Sequence, residues 1–135
     1  MRLLITGGNG NLAKIINKHL SSEFEIVCIT RKDFDLLNFQ ELTNYLSGNK
    51  FDVLIHTAIK GGRRTKEENG EVVYHNLLMF ENLMKFADNF KLIINFDSGA
   101  IYDRSTDIYC KKEDEALNIP VDYYSDPDDS GSGLK

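Results

Sequence analysis

The sequence predicts a doubly wound α/β domain, in which helices cover both faces of a parallel β-sheet in a three-layer αβα arrangement. Three observations lead to this prediction. Short apolar, β-branched runs alternate along the chain with stretches of helical periodicity. These runs are apolar enough to be buried on both faces, as parallel strands usually are. The first run is followed at once by a glycine turn and a helix, and this alternation implies parallel strands with right-handed crossovers.

The first half of the chain contains the first elements of this pattern. Residues 2–6 form the first predicted strand, and a helix is expected from about Asn11 to Leu20 because its apolar residues recur on one face. Residues 24–30 form the second strand. A brief third strand is expected at residues 34–37.

The pattern then continues to residue 96. Helical spacing begins at Phe39 and stops at Gly48-Asn49, and residues 51–58 form the next strand. A polar loop over residues 59–70 leads to a long amphipathic helix, and residues 91–96 form another buried strand. Seven residues define the apolar face expected for the long helix: Val72, Val73, Leu77, Phe80, Leu83, Met84 and Ala87.

Ligands of doubly wound sheets bind beyond the carboxyl ends of the strands. Four segments should therefore converge on one crevice, namely residues 6–10, 30–32, 58–62 and 97–102.

The turn after the first strand has the glycine spacing of a dinucleotide-binding motif. Gly7 and Gly10 stand at the first two positions of G-x-x-G-x-x-G/A, and Ala13 stands at the third. Bare backbone at these positions lets a pyrophosphate approach the helix N-terminus, whose amides and dipole favour an anion. The turn therefore predicts a Rossmann-type fold that holds a dinucleotide, although a purely structural glycine turn is the alternative. The contacting residues expected here are Thr6, Gly7, Gly10, Asn11 and Leu12.

The end of the second strand bears on the choice of cofactor. It reads Ile29-Thr30-Arg31-Lys32, with no acidic residue where an NAD site places one for the ribose hydroxyls. A cation at Arg31 suits the 2′-phosphate of NADP, so the sequence favours NADP and leaves NAD open. The alternative is a solvated basic pair at a strand end.

Over residues 1–124 the chain resembles the extended short-chain dehydrogenase/reductase family of NAD(P)-dependent sugar-nucleotide epimerases, dehydratases and reductases. Five motifs carry the resemblance: Ile5-Thr6-Gly7-Gly8-Asn9-Gly10, Phe34-Asp35-Leu36-Leu37, Asp52-Val53-Leu54-Ile55-His56-Thr57-Ala58, His75-Asn76-Leu77 and Ser98-Gly99-Ala100-Ile101-Tyr102. Within the family, the missing helix between the second and third strands and the loop Lys60-Gly61-Gly62 are most similar to GDP-fucose synthase and dTDP-4-dehydrorhamnose reductase.

The resemblance implies roles for residues at several strand ends. Asp35 and Leu36 would border the adenine, and Asn76 would support the active site from its helix. The nicotinamide half would be lined by Thr57, Ala58, Ile59 and Lys60. Each residue also has a structural reading: a turn aspartate, core strand residues or a helix-surface asparagine.

The catalytic residues implied by the resemblance are Ser98, which would hydrogen-bond the reacting oxygen, and Tyr124, which would move its proton. Two departures from the family's pattern are present. Ala100 replaces the cysteine acid/base of fucose synthases, which argues against the same double epimerisation. Asp128 occupies the lysine position of the Tyr-x-x-x-Lys pair, and a carboxylate there would raise rather than lower the phenol pKa.

These departures leave two functions open. The leading one is an NAD(P)-dependent nucleotide-sugar epimerase, dehydratase or reductase, of which residues 1–124 are the cofactor-binding domain and the sugar-nucleotide pocket is missing. The alternative is a non-catalytic NAD(P)-binding or regulatory module. A partner-dependent fragment with exposed apolar surface is a third possibility. Residues 125–135 are expected to form an acidic, disordered tail.

Composition excludes several other classes. The formal net charge of -5 gives no basic face for nucleic acid, and no segment reaches membrane-spanning length, so a cytoplasmic protein is expected. Cys28 and Cys110 are expected to be reduced thiols. No metal site is predicted, because His56 reads as a hydrogen-bonded core residue and the other histidines lack ligand spacing. Homo-oligomerisation is left open.

Overall fold

The computed structural model describes residues 1–61, 69–96 and 112. The fold below is that of the unit Met1–Phe96. Its elements are β1 (Arg2–Thr6), α1 (Asn11–Leu20), β2 (Glu25–Ile29), α2 (Phe39–Gly48), β3 (Val53–His56), α3 (Gly70–Met84), a 3-10 turn (Ala87–Asn89) and β4 (Leu92–Asn95). The four strands are parallel and lie in the order β2-β1-β3-β4. The predicted doubly wound α/β class is confirmed.

The sheet has a separate apolar core on each face, because successive strand residues point to opposite sides. Leu4 and Leu54 pack with the apolar residues of α2 and α3 on one face. Leu3, Ile5 and Val53 face the other way, where α1 covers them. The three layers expected from the sequence therefore form around a central β1 that pairs with both β2 and β3.

The segment 34–37 is not a strand, so this prediction was wrong. It forms turns between β2 and α2. Its backbone groups bond to side chains instead of a neighbouring strand: the Asp35 amide donates to Glu41 (3.0 Å), and the Leu37 amide donates to Asp35 (3.0 Å). Local side-chain acceptors of this kind compete with ladder formation, which apolar content alone does not reveal.

The apolar face expected for α3 was also partly wrong. Val73 and Leu77 are 61% and 64% exposed, whereas Met79 and Leu83 are buried. The helix ends at Met84, and Ala87 lies in the following 3-10 turn. Because apolar residues surround most of this helix, periodicity alone could not show which face packs on the sheet.

Among the residues that the structure describes, none of the helices has the length and apolar character that a membrane crossing requires.

Candidate nucleotide-binding site

The glycine turn is fixed tightly against the ends of two strands. Gly7 has φ 72°, a conformation that L side chains rarely adopt. A Cβ atom there would lie 2.9 Å from both the backbone N and the Cα of Ala58. The Gly10 amide donates to the Gly7 carbonyl (2.7 Å), and the Gly8 amide donates to the Ile29 carbonyl at the end of β2 (2.8 Å). The turn therefore joins the carboxyl ends of β1, β2 and β3.

The turn leads directly into the N-terminus of α1. Gly10 is the N-cap residue and has no side chain to accept a hydrogen bond from the first amides of the helix, and the first helical turn contains no acidic residue. Free amides and the positive end of the helix dipole together attract an anion. This end of α1 thus has the chemistry that the glycine spacing predicts.

Thr6 fastens the end of β1 to the end of β3. Its hydroxyl oxygen accepts hydrogen bonds from the amides of Thr57 and Ala58 (3.2 Å each), and the Thr57 hydroxyl donates to the Thr6 carbonyl (2.6 Å). The same Thr6 oxygen lies 2.7 Å from Nδ1 of His56. Since both lone pairs of the hydroxyl are used, it donates to Nδ1, and His56 is neutral with its proton on Nε2.

His56 is the buried, hydrogen-bonded core residue that the sequence predicts. His56 is 6% exposed, and its ring lies beside the Phe80 ring, with the two centroids 6.5 Å apart. Burial lowers the pKa of His56 from 6.5 to about 4. The ring therefore serves as a structural acceptor for Thr6 at neutral pH.

A cavity of about 310 Å³ opens at the carboxyl edge of β1, β2 and β3. It is lined by Gly7, Asn9, Gly10, Ile29, Thr30, Arg31, Phe34, Asp35, Leu36, Thr57, Ala58, Ile59 and Met79. Apolar side chains form most of its walls, and Arg31 brings a cation to its edge. Such a cavity can hold an aromatic base between apolar surfaces and a phosphate beside the guanidinium.

The structure brings together eight of the residues predicted to contact the cofactor. Gly7, Gly10, Arg31, Asp35, Leu36, Thr57, Ala58 and Ile59 all line the cavity. The other five lie around it. Thr6 is buried beneath it, Asn11 and Leu12 are exposed at the start of α1, and Lys60 and Asn76 bond to each other.

Arg31 lies in a turn that the Asp33 side chain stabilises by hydrogen bonds. The Asp33 carboxylate accepts hydrogen bonds from the Thr30 amide (2.7 Å) and the Thr30 hydroxyl (2.9 Å). The bond from the Thr30 backbone is the main reason that the pKa of Asp33 lies below its ordinary value. The carboxylate thus stays ionised and is engaged within the turn, while Arg31 projects from the turn at the cavity edge.

Asn76 holds the loop after β3 through a reciprocal pair of hydrogen bonds. Its Oδ1 accepts from the Lys60 amide (2.8 Å), and its Nδ2 donates to the Lys60 carbonyl (2.9 Å). The Lys60 Nζ also lies 2.5 Å from Nδ1 of the neighbouring His75. The loop that carries Ile59 to the cavity is therefore fixed to α3.

Besides Asn9, Ile29 and Thr30, three residues at the site were not among the predicted contacts. Phe34 and Met79 line the cavity, and the buried Asn82 bonds to the segment beside it. The position of Phe34 directly before Asp35 could have indicated its role. Met79 and Asn82 gave no signal, because their contacts depend on which face of α3 packs inward.

Ser98 and Tyr124, the predicted catalytic residues, lie outside the described residues, as do Gly62 and Cys110. Cys28 is a free thiol in β2, as expected. Within the described residues no group of His, Cys, Asp and Glu is arranged to hold a metal ion.

Comparison with known proteins agrees with this geometry. Residues 3–127 match the NAD dependent epimerase/dehydratase family. GDP-L-colitose synthase of Yersinia pseudotuberculosis is 31% identical over 112 residues, which are 79% of this chain and 36% of that protein.

Solved structures of other proteins share the fold, among them those of two enzymes. A GDP-L-fucose synthetase from Naegleria fowleri superposes with a TM-score of 0.72 at 20% identity, over 88% of this chain and 37% of that one. A second structure of a GDP-L-fucose synthetase from this organism contains NADP. A dTDP-4-dehydrorhamnose reductase from Clostridium acetobutylicum gives a TM-score of 0.69 at 24% identity, over 79% and 39% of the two chains.

The chain spans less than two-fifths of the length of each of these relatives. The match nevertheless covers nearly all of this chain and includes the strand ends, the glycine turn and the cavity. The chain belongs to the NAD dependent epimerase/dehydratase family.

Proposed function

We propose that this chain binds NADP(H) at the carboxyl edge of its sheet and is the cofactor-binding portion of a nucleotide-sugar reductase or epimerase. One observation carries the proposal. The glycine turn, the uncapped N-terminus of α1 and the cavity meet at the edge where doubly wound sheets bind dinucleotides.

The adenosine half would occupy the cavity. Phe34 and Leu36 offer apolar surface to the base, and Asp35 lines the same wall. The guanidinium of Arg31 would pair with the 2′-phosphate, since this group is planar, permanently charged and matched to phosphate oxygens. The pyrophosphate would lie at Gly10 and the first amides of α1.

The nicotinamide half would lie along the loop after β3. Thr57 and Ile59 already face the cavity, and Asn76 fixes the Lys60 peptide at the far end of this loop. The Thr6 hydroxyl holds the same loop from below by its two amide bonds. The loop is thus positioned before any ligand arrives, which limits the ordering cost of binding.

The proposed reaction is inferred from the relatives, whose names describe synthases and reductases of GDP- and dTDP-linked sugars. The bound nicotinamide would supply or accept hydride at its C4 position. When hydride is transferred to or from the sugar carbon, a proton is transferred to or from the oxygen on that carbon. Ser98 would hydrogen-bond this oxygen, and Tyr124 would transfer the proton. These two assignments rest on the sequence motifs.

Titration with NADPH and NADH, followed by nucleotide fluorescence and by thermal unfolding, tests the proposal. Saturable fluorescence enhancement and a raised Tm with NADPH, and a weaker effect with NADH, are expected. Flat responses to both nucleotides would overturn the proposal.

A non-catalytic binding module is the second candidate, and the aspartate at position 128 favours it. Both candidates predict NADPH binding. They separate when the chain is mixed with NADPH and a GDP-4-keto-sugar: steady nucleotide oxidation supports the enzyme, and tight binding without turnover supports the module.

A further inference from the structure

The helix α3 contains two asparagines, Asn76 and Asn82, and the second of them is almost completely buried. Asn82 is 2% exposed and lies on the helix face that also buries Met79 and Leu83. An amide among apolar side chains costs free energy unless its polar atoms are hydrogen-bonded. The position of Asn82 therefore depends on the partners that it finds there.

Those partners belong to a segment 45 to 46 residues earlier in the chain. The Asn82 Nδ2 donates to the carbonyl of Leu36 (2.9 Å) and to that of Leu37 (3.3 Å). Both carbonyls lie in the turns between β2 and α2, and none of the four strands that the structure describes pairs with them. Asn82 thus supplies from α3 the donors that a neighbouring strand would supply in a sheet.

The segment that Asn82 holds is one wall of the cavity. Phe34, Asp35 and Leu36 face the cavity from it. From the solvent side the same segment is held by Glu41, which accepts from the Asp35 amide. The wall is therefore fixed at two points, one buried and one exposed.

We propose that Asn82 is a positioning residue for the adenine wall and acts on the bound nucleotide through the backbone of Leu36 and Leu37. The inference rests on the proposed function in one respect, because it takes the base that lies against this wall to be the adenine of NADP(H). Asn82 itself does not line the cavity. It affects nucleotide binding by fixing the positions of Asp35 and Leu36.

Asn82→Leu removes the donor and keeps a side chain of similar volume. This variant leaves two carbonyls without their donor and could fold poorly, so Glu41→Ala is the second variant. It removes the hydrogen bond that holds the same wall from its exposed side and leaves the core intact. Val53→Ala is the matched control. Val53 is 6% exposed, lies at the start of β3 and packs in the core on the opposite face of the sheet.

Three probes separate the two halves of the site: NADPH, adenosine 2′,5′-bisphosphate and reduced nicotinamide mononucleotide. We expect Asn82→Leu to raise the Kd for the first two by about tenfold, which is the effect of losing one well-placed interaction, and to leave the third unchanged. Glu41→Ala should act in the same direction with a smaller change. Val53→Ala should change none of the three.

If Asn82→Leu lost as much affinity for reduced nicotinamide mononucleotide as for the other two probes, the proposal would be overturned. Equal losses would indicate a general loosening of the fold. Unchanged binding of the bisphosphate to both variants would also overturn it.

A measurement without ligand separates this inference from the proposed function. Amide hydrogen exchange at Leu37 and Asn38 should quicken in Asn82→Leu and stay unchanged in Val53→Ala. Unaltered exchange in Asn82→Leu would refute the positioning role, whereas failure of the native chain to bind NADPH would refute only the assignment of the ligand.

Discussion

The hydroxyl of Thr6 donates a hydrogen bond to Nδ1 of His56 across 2.7 Å, between neighbouring strands that are 50 residues apart in sequence. The same oxygen holds the amides of Thr57 and Ala58. A single buried hydroxyl therefore connects β1, β3 and the loop that lines the candidate nicotinamide site.

Replacing this hydroxyl should loosen the loop. Thr6→Val keeps the shape of the side chain but leaves two amides and the His56 Nδ1 without their partner, which should lower the free energy of unfolding by about 1–3 kcal/mol. Urea unfolding measures the loss. Thr43→Val is the control, because its hydroxyl bonds within exposed α2 (2.8 Å to the Phe39 carbonyl) and should cost much less. Equal losses in the two variants would contradict the role given to Thr6.

The buried His56 should make the fold sensitive to mild acid. Its pKa is about 4 in the folded chain and 6.5 ordinarily, so the unfolded chain binds more protons between these values. The stability is fully present above pH 6.5 and is lost as the pH falls toward 4, by up to about 3 kcal/mol. Hydrogen bonds from Thr30 to Asp33 and from Lys91 to Asp52 hold the pKa values of these two carboxyls below their ordinary range, so both groups contribute beneath this window.

Urea unfolding of the native chain and of His56→Gln at pH 7.5 and 4.5 measures this effect. The native chain should lose much more stability between the two pH values than the variant does. His19→Gln, at an exposed position on α1, should behave like the native chain. Parallel losses in the native chain and in His56→Gln would show that another group is responsible.

Gly7 should not tolerate a side chain. Gly7→Ala places a Cβ 2.9 Å from the Ala58 backbone at a positive φ, so we expect a loss of about 1–3 kcal/mol and much weaker NADPH binding. Gly48→Ala is the matched control, since none of the described residues lies within 4 Å of its Cβ position at the end of α2. That variant should be neutral or more stable by up to about 1 kcal/mol. Thermal unfolding and nucleotide titration of both variants provide the comparison.

Arg31 should determine the preference of the site for NADPH over NADH. Arg31→Ala should weaken NADPH binding by about ten- to a hundredfold, because a charge-assisted pair is lost, and should leave NADH binding almost unchanged. Lys32→Ala removes a charge from the same exposed turn without removing a residue that lines the cavity. Parallel titrations of the two variants measure the difference. An equal effect of both substitutions would mean that the turn attracts phosphate only by its overall charge.

The parts of the site that follow from local sequence could be predicted. Gly7, Gly10 and Arg31 lie in a strand–turn–helix pattern and at a strand end, where spacing and charge indicate the role directly. The parallel sheet followed from the alternation of apolar runs with helical periodicity. His56 was predicted as a core residue because it lies within an apolar strand.

The parts that depend on tertiary packing could not be predicted. Residues 34–37 have the composition of a strand. Their backbone groups nevertheless form hydrogen bonds with the side chains of Asp35, Glu41 and Asn82 instead of with a neighbouring strand. Asn82 lies on α3 among apolar residues that encircle the helix, so the sequence did not show that it faces inward. The Thr6–His56 pair depends on the register of β1 against β3, which composition does not specify.

Amide NMR spectra of the chain during titration with NADPH test the central claim most directly. We predict saturable shifts at Gly8, Gly10 and the first residues of α1, together with Arg31 and Leu36, with one common Kd. Shifts confined to the opposite edge of the sheet, near Asn49 and Phe90, or no saturable shift at all, would contradict a dinucleotide site at the glycine turn.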